Sequence, residues 1–238
     1  MAYTPEEFAE DLGRALGRRL KSVILYGSAA TGERHERWSD YNILVVLDRV
    51  DAETLAKSSS PIRRWMARGN PPPVTMTPRF LKRSADVFPL EWLDMRDARR
   101  VLHGADALRG LVVAPTNLRV QLERELKAAY LRLLREFQAV GWFRRRARLR
   151  ILLIRSNSSF QVLLRGVLRL LKAKPLPAKR DAPAALAKRM RFDASPFLFA
   201  ERLKAGDRAA RRADPGPWIS RYLRALEALI ERIDTWNR

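Results

Sequence analysis

Between Leu25 and Leu47 the chain reads LYGSAATGERHERWSDYNILVVL, which places Gly27, Ser28, Gly32, Ser39, Asp40 and Asn42 in one short stretch. A glycine at the end of a strand lets the backbone approach a phosphate closely, and the N–H groups that open a following helical turn offer an anion donors and a positive dipole end. Ser28 adds a hydroxyl donor, and Gly32 allows the turn to pack closely. Asp40 and Asn42 stand at i and i+2, a spacing that on a strand turns both side chains to one side. A carboxylate there supplies hard oxygen ligands of the kind magnesium takes, and the amide keeps a carbonyl oxygen without the negative charge.

These residues need a strand on each side to hold them. The run Ser22 to Tyr26 reads as a short inner strand ending at Gly27, and Tyr41 to Leu47 as a second strand, apolar on both faces as in a sheet covered by helices. Thr4-Pro5-Glu6-Glu7 combines an N-cap, a proline at the first helical position and a glutamate three residues after the cap, so a helix follows with Phe8, Leu12, Ala15, Leu16 and Leu20 on its buried stripe. The Ser58 to Pro61 cluster and Pro71-Pro72-Pro73 predict surface turns on either side of a short basic helix. Val74 to Thr77 and Val87 to Leu93 are further strand candidates. From Asn117 the period becomes 3.6. Leu118, Leu122, Leu126, Ala129, Leu133 and Phe137 share one stripe to Gly141, Arg150 to Lys172 predicts a second long helix interrupted at Gly166, and Pro217 opens a last one. Lys174 to Pro183 and Ala205 to Gly216 read as loops. The predicted fold class is α+β, with a small mixed-sheet domain over 1–115 and an α-helical bundle over 116–238.

The segment from Leu25 to Leu47 resembles the nucleotidyltransferase superfamily related to polymerase beta, in its minimal nucleotidyltransferase type: Gly-Ser, a glycine four residues on, a polar stretch, and then an Asp-x-Asp pair opening a strand. Gly27, Ser28, Gly32, Ser39 and Asp40 match, and Asn42 stands where the second aspartate belongs. The resemblance implies that Gly27, Ser28 and Gly32 bind a nucleoside triphosphate, that Asp40 and Asn42 ligate magnesium or manganese, and that a third acid assists the metal or takes the acceptor's proton. In VFPLEWLD that third acid is Glu91, with Asp94 as the alternative on the opposite face of a strand. Two functions follow. One is metal-dependent transfer of a nucleoside monophosphate to an acceptor hydroxyl on RNA or protein; the other is a degenerate fold that binds nucleotide or nucleic acid without catalysis.

Composition narrows the field further. The 238 residues hold no cysteine and two histidines, His35 and His103, which exclude disulfides and thiolate chemistry and leave any metal to oxygen ligands. Ribonuclease helices of the Arg-to-His type need a histidine in the helical half, and none follows His103. His103, before Gly104, reads as a helix C-terminal residue. Trp65, Trp92, Trp142 and Trp218 read as packing residues. No apolar run reaches the length of a membrane span and the amino terminus is acidic, so the expectation is a cytoplasmic protein with no membrane partner. The formal net charge of +21 is unevenly spread: residues 1–115 hold 18 basic against 15 acidic side chains, and residues 116–238 hold 29 against 11. Such a surplus fits RNA or another polyanion, and FRRRARLR nominates Arg144, Arg145, Arg146 and Arg148 as its nucleic-acid contacts.

Overall fold

A computed structural model of the chain describes residues 3–30, 41–140, 146–173 and 178–236. The fold is α+β, and the chain divides into two compact units, Met1–Ala114 and Pro115–Arg238.

In the first unit α1 (Pro5–Leu16) opens on a complete capping box. Thr4 accepts from the Glu7 N–H, and the Glu7 carboxylate accepts from the Thr4 N–H. β1 (Leu20–Tyr26) and β2 (Asn42–Leu47) pair antiparallel, with Leu25 opposite Ile43 and Tyr26 opposite Asn42. α2 (Ala52–Met66) leads to β3 (Val74–Met76), which lies parallel to β2. α3 (Pro78–Arg83) and α4 (Pro89–Asp97) follow, and β4 (Arg99–Gly104) pairs antiparallel with the other side of β1. The sheet order is β3-β2-β1-β4.

Strand alternation gives the sheet two apolar faces. Val23, Leu25, Ile43, Val45 and Leu47 pack with Phe8, Leu12 and Leu16 of α1 and with Trp65 of α2, whose ring stacks on Phe8 at 4.7 Å. Ile24, Leu44 and Val46 face the other way, toward Leu81 of α3 and Trp92 and Met95 of α4. Burial on both sides explains why β1 and β2 read as nearly continuous apolar runs.

Three expectations for this unit are corrected. The Ser58–Pro61 cluster is no turn, because α2 runs through it with Thr54, Ser58, Pro61 and Trp65 buried along one face. Packing of that face outweighs the hydrogen bond lost at proline. Val87–Leu93 is not a strand. Pro89 presets the first helical φ, and Leu90, Trp92, Leu93 and Met95 are buried around α4, so the apolar run carries no period that separates helix from strand. The strand comes later, at Arg99–Gly104, and His103 lies on it rather than at a helix end. Gly104 is required there: its φ is +71°, and a Cβ would stand 2.1 Å from the Lys21 carbonyl oxygen.

The second unit is helical. α5 (Pro115–Val140) buries Leu118, Leu122, Leu126, Ala129 and Leu133, and α6 (Arg146–Leu170) runs unbroken through a buried Gly166. The expected loops hold short helices, α7 (Ala182–Ala187) and, after α8 (Ser195–Lys204), α9 (Arg208–Arg212); α10 (Pro215–Asp234) closes the chain. Phe160, Phe197 and Tyr222 form an aromatic cluster, and Trp218 stacks on Phe199 at 4.3 Å. α6 is joined to α8 through amides: Asn157 and Gln161 both donate to the Glu201 carboxylate, at 2.7 and 2.8 Å. Among the described residues no helix is long and apolar enough to cross a membrane.

Candidate active site

β1 delivers the site. Its last residue, Tyr26, is followed by Gly27 at φ +83°, a left-handed conformation that reverses the strand into a tight turn closed by the Ala30 N–H on the Gly27 carbonyl at 3.0 Å. The Gly27 N–H is already engaged, donating to the Ala98 carbonyl at 2.8 Å. An anion held at this turn would meet Ser28 and the Ala29 N–H, because the Gly27 and Ala30 N–H groups already donate to backbone carbonyls, and the part of Gly27 is conformational.

Gly27 and Asn42 are brought together. A Cβ on Gly27 would lie 3.6 Å from Asn42 Nδ2, so the missing side chain leaves the carboxamide directly beside the turn. Asn42 opens β2 opposite Tyr26, and alternation sets it on the face that carries Leu44 and Val46. That is also the face covered by α4. Burial raises the Tyr26 hydroxyl above its ordinary range.

Glu91 lies in the first turn of α4 and is exposed, and Asp94 follows one turn later. On a strand these two carboxylates would point to opposite faces; on the helix three residues separate them and they share a side. Both are carried by the helix whose Trp92 and Met95 cover the Asn42 face of the sheet. Asp40 and Gly32 lie outside the described residues, as do Arg144 and Arg145. Arg146 sits 3.8 Å from Asp214, and Arg148 is exposed on α6.

One positioning pair escaped the sequence reading. Arg99 grips Asp106 through two parallel contacts, Nε to Oδ1 at 3.1 Å and Nη2 to Oδ2 at 2.7 Å, and also donates to the Arg96 carbonyl. This ties β4 to the loop behind it at the residue opposite Tyr26. The Arg99 hydrogen bonds hold the Asp106 carboxyl below the usual carboxylate range, and the Leu108 N–H adds to the effect. Seven residues separate the two on a strand-loop path with no periodicity, so only their opposite charge was visible in advance.

The oxygen ligands these elements carry are the Asn42 carbonyl on β2 and the Glu91 and Asp94 carboxylates on α4. That set suits a hard divalent cation. Among the described residues no group of three or more histidine, cysteine, aspartate or glutamate side chains forms a metal site.

No family model and no curated protein sequence matches the chain. Among solved structures it is similar to the crystal structure of spectinomycin adenyltransferase AAD(9) from Enterococcus faecialis with ATP and spectinomycin, at 12% identity and a TM-score of 0.53, over 99% of this chain and 100% of that one. At 12% identity this likeness shows the fold alone: an α+β architecture like that of the adenyltransferase.

Proposed function

We propose that the chain transfers a nucleoside monophosphate from a nucleoside triphosphate to an acceptor hydroxyl on RNA or protein, releasing pyrophosphate. The observation that carries this reading is the pairing of the Gly27 turn with the Asn42 carboxamide, on the sheet face covered by acid-bearing α4. Ser28 and the Ala29 N–H would hold the triphosphate at the turn. Asp40, Asn42 and Glu91 would hold magnesium or manganese, which when bound offsets charge on the leaving pyrophosphate. Glu91 would accept the proton as the acceptor oxygen bonds to the α-phosphorus and the α–β bridging bond breaks. ATP is the nucleotide named with the adenyltransferase neighbour and is the first donor to try. A cationic aminoglycoside is a poor acceptor for a chain whose residues 116–238 carry 29 basic against 11 acidic side chains.

A second reading is favoured by Asn42 itself. An amide in place of a carboxylate weakens a divalent site, and a fold so altered would serve to bind nucleotide or RNA without turnover. Incubation of the full chain with magnesium or manganese, labelled nucleoside triphosphates and total RNA or protein distinguishes the two. Transferred label with pyrophosphate release supports catalysis. Nucleotide binding with no label transferred under either metal establishes the binding-only alternative.

A further inference from the structure

α6 contains six arginines, at 146, 148, 150, 155, 165 and 169, and no aspartate or glutamate in its 25 residues. On a surface of mixed sign, acids would be interspersed along such a helix. Arg148 and Arg155 are two turns apart on one exposed face, about 10 Å along the axis. Exposed Ile151 lies between them. α5 presents Arg132 and Arg135 on its own exposed side.

Arg132 of α5 and Arg155 of α6 both line an open groove of about 160 Å³ between the two helices, whose lining includes Glu136, Ser156 and Ser159. Among the described residues Arg132, Arg135, Arg148 and Arg155 make no hydrogen bond and no ion pair. These four guanidinium groups thus stay ready for an external partner.

We propose that the α5–α6 groove and its arginine rim bind the sugar-phosphate backbone of a single RNA strand. A small free anion is a poor fit, because Glu136 stands in the groove and the groove is open to solvent. A strand escapes that penalty by spreading its charge to Arg135 and Arg148 beyond the groove. Guanidinium forks match phosphate oxygens two at a time, the Ser159 hydroxyl can donate to phosphate or pair with the 2′-hydroxyl, and Ser156, whose hydroxyl donates to the Leu153 carbonyl at 3.2 Å, can accept from a 2′-hydroxyl. No exposed aromatic lies among these residues, so stacking contributes little and binding shows weak sequence preference. That this strand is the acceptor rests on the proposed nucleotidyl transfer; the binding does not.

The test is fluorescence anisotropy of the full chain with a labelled 16-nucleotide RNA of mixed sequence, in chelator and without nucleotide. The expected log-log dependence of affinity on salt is about −0.7 per phosphate contact for a single strand, about fivefold in affinity per contact at 0.1 M salt. Arg132→Gln/Arg148→Gln/Arg155→Gln together should flatten the slope by about 2 and weaken binding about 100-fold at that salt. Glu136→Gln should tighten it a few fold. Arg208→Gln/Arg212→Gln/Arg224→Gln removes the same charge from exposed positions elsewhere in the unit and should weaken binding far less. Equal losses in the two triple variants would overturn the groove in favour of diffuse attraction. Displacement of RNA by polyglutamate as readily as by unlabelled RNA would overturn it in favour of an acidic protein. Label transfer that persists without RNA binding would sink this inference and leave the proposed reaction standing, and RNA binding without transfer would do the reverse.

Discussion

The two units use arginine differently. In the first, arginines reach across the sequence to fixed acids: Arg19 to Glu53, Arg64 to Asp11, Arg99 to Asp106, Arg100 to Glu6. Charge there is nearly balanced and is consumed in holding elements together around the Gly27 turn. In the second, Arg221 reaches Asp193 and Arg146 reaches Asp214, but α6 has no acid of its own and its Arg148 and Arg155 face solvent. Cationic side chains that are paired set geometry, whereas those left unpaired set affinity for what arrives from outside.

If that contrast is right, substitutions in the first unit break structure or chemistry and those on the second unit's surface break neither. The largest effect is expected at Gly104. Gly104→Ala forces a Cβ into the Lys21 carbonyl at φ +71° and should cost about 3 kcal/mol or more, a fall of roughly 10 °C in melting temperature by calorimetry. A melting curve that matches wild type would show that β4 can pair with β1 in another way.

Next in size, Asp40→Ala should reduce transferred label on the order of 100-fold or more, since it removes the remaining carboxylate of the Asp-x-Asn pair. Unchanged activity in that variant would end the catalytic reading.

Asp106→Asn should cost about 1–2 kcal/mol at pH 7 by removing a charge-assisted double contact from a partly buried arginine. Because the folded-state carboxyl is held below its unfolded value, the stabilisation is fully present above about pH 4. It is lost as pH falls through the lower folded value. Chemical denaturation at pH 7 and at pH 3 should therefore show the gap between wild type and variant narrowing in acid; a gap that widens there would contradict the assignment.

Asn42→Asp should raise label transfer several-fold and lower the magnesium concentration that half-saturates it, by returning a carboxylate to the site. If transfer falls instead, the amide is itself selected for, and the binding-only reading gains. Smallest of all, Arg135→Gln should change stability by less than about 0.5 kcal/mol in the absence of RNA, as read by thermal melting. A large loss would mean that this arginine is structural after all.

What could be read in advance follows the same division. β1 and β2 were legible as apolar, β-branched runs bounded by polar stretches, the long helices α5, α6 and α10 because each keeps one period over many residues, and α1 because its capping box is local. The Gly27-Ser28 turn was legible because a left-handed backbone calls for glycine. α4 was not, since its side chains are buried around most of its circumference. β4 was not either: an edge strand reading RRVLHG, with most residues exposed, shows neither an apolar run nor alternation. Glu91 was picked as the third acid while its element was mistaken, and that changed its geometry relative to Asp94. The arginine groove could not be seen as a groove, because Arg132 and Arg155 lie 23 residues apart on different helices, and FRRRARLR, the densest run in the sequence, drew the eye instead.

The grip of Asn157 and Gln161 on Glu201 bears on how the bundle behaves in brine. Neutral amides, rather than guanidinium groups, meet the carboxylate at this joint, so α6 is keyed to α8 without drawing on any of its six arginines. Hydrogen bonds from amides are less sensitive to ionic screening than contacts between full charges at the surface. If the proposed groove holds RNA, a salt step that strips the strand from the outer rim should therefore leave the interior joint latched, and the bundle would release the strand and take it up again without coming apart.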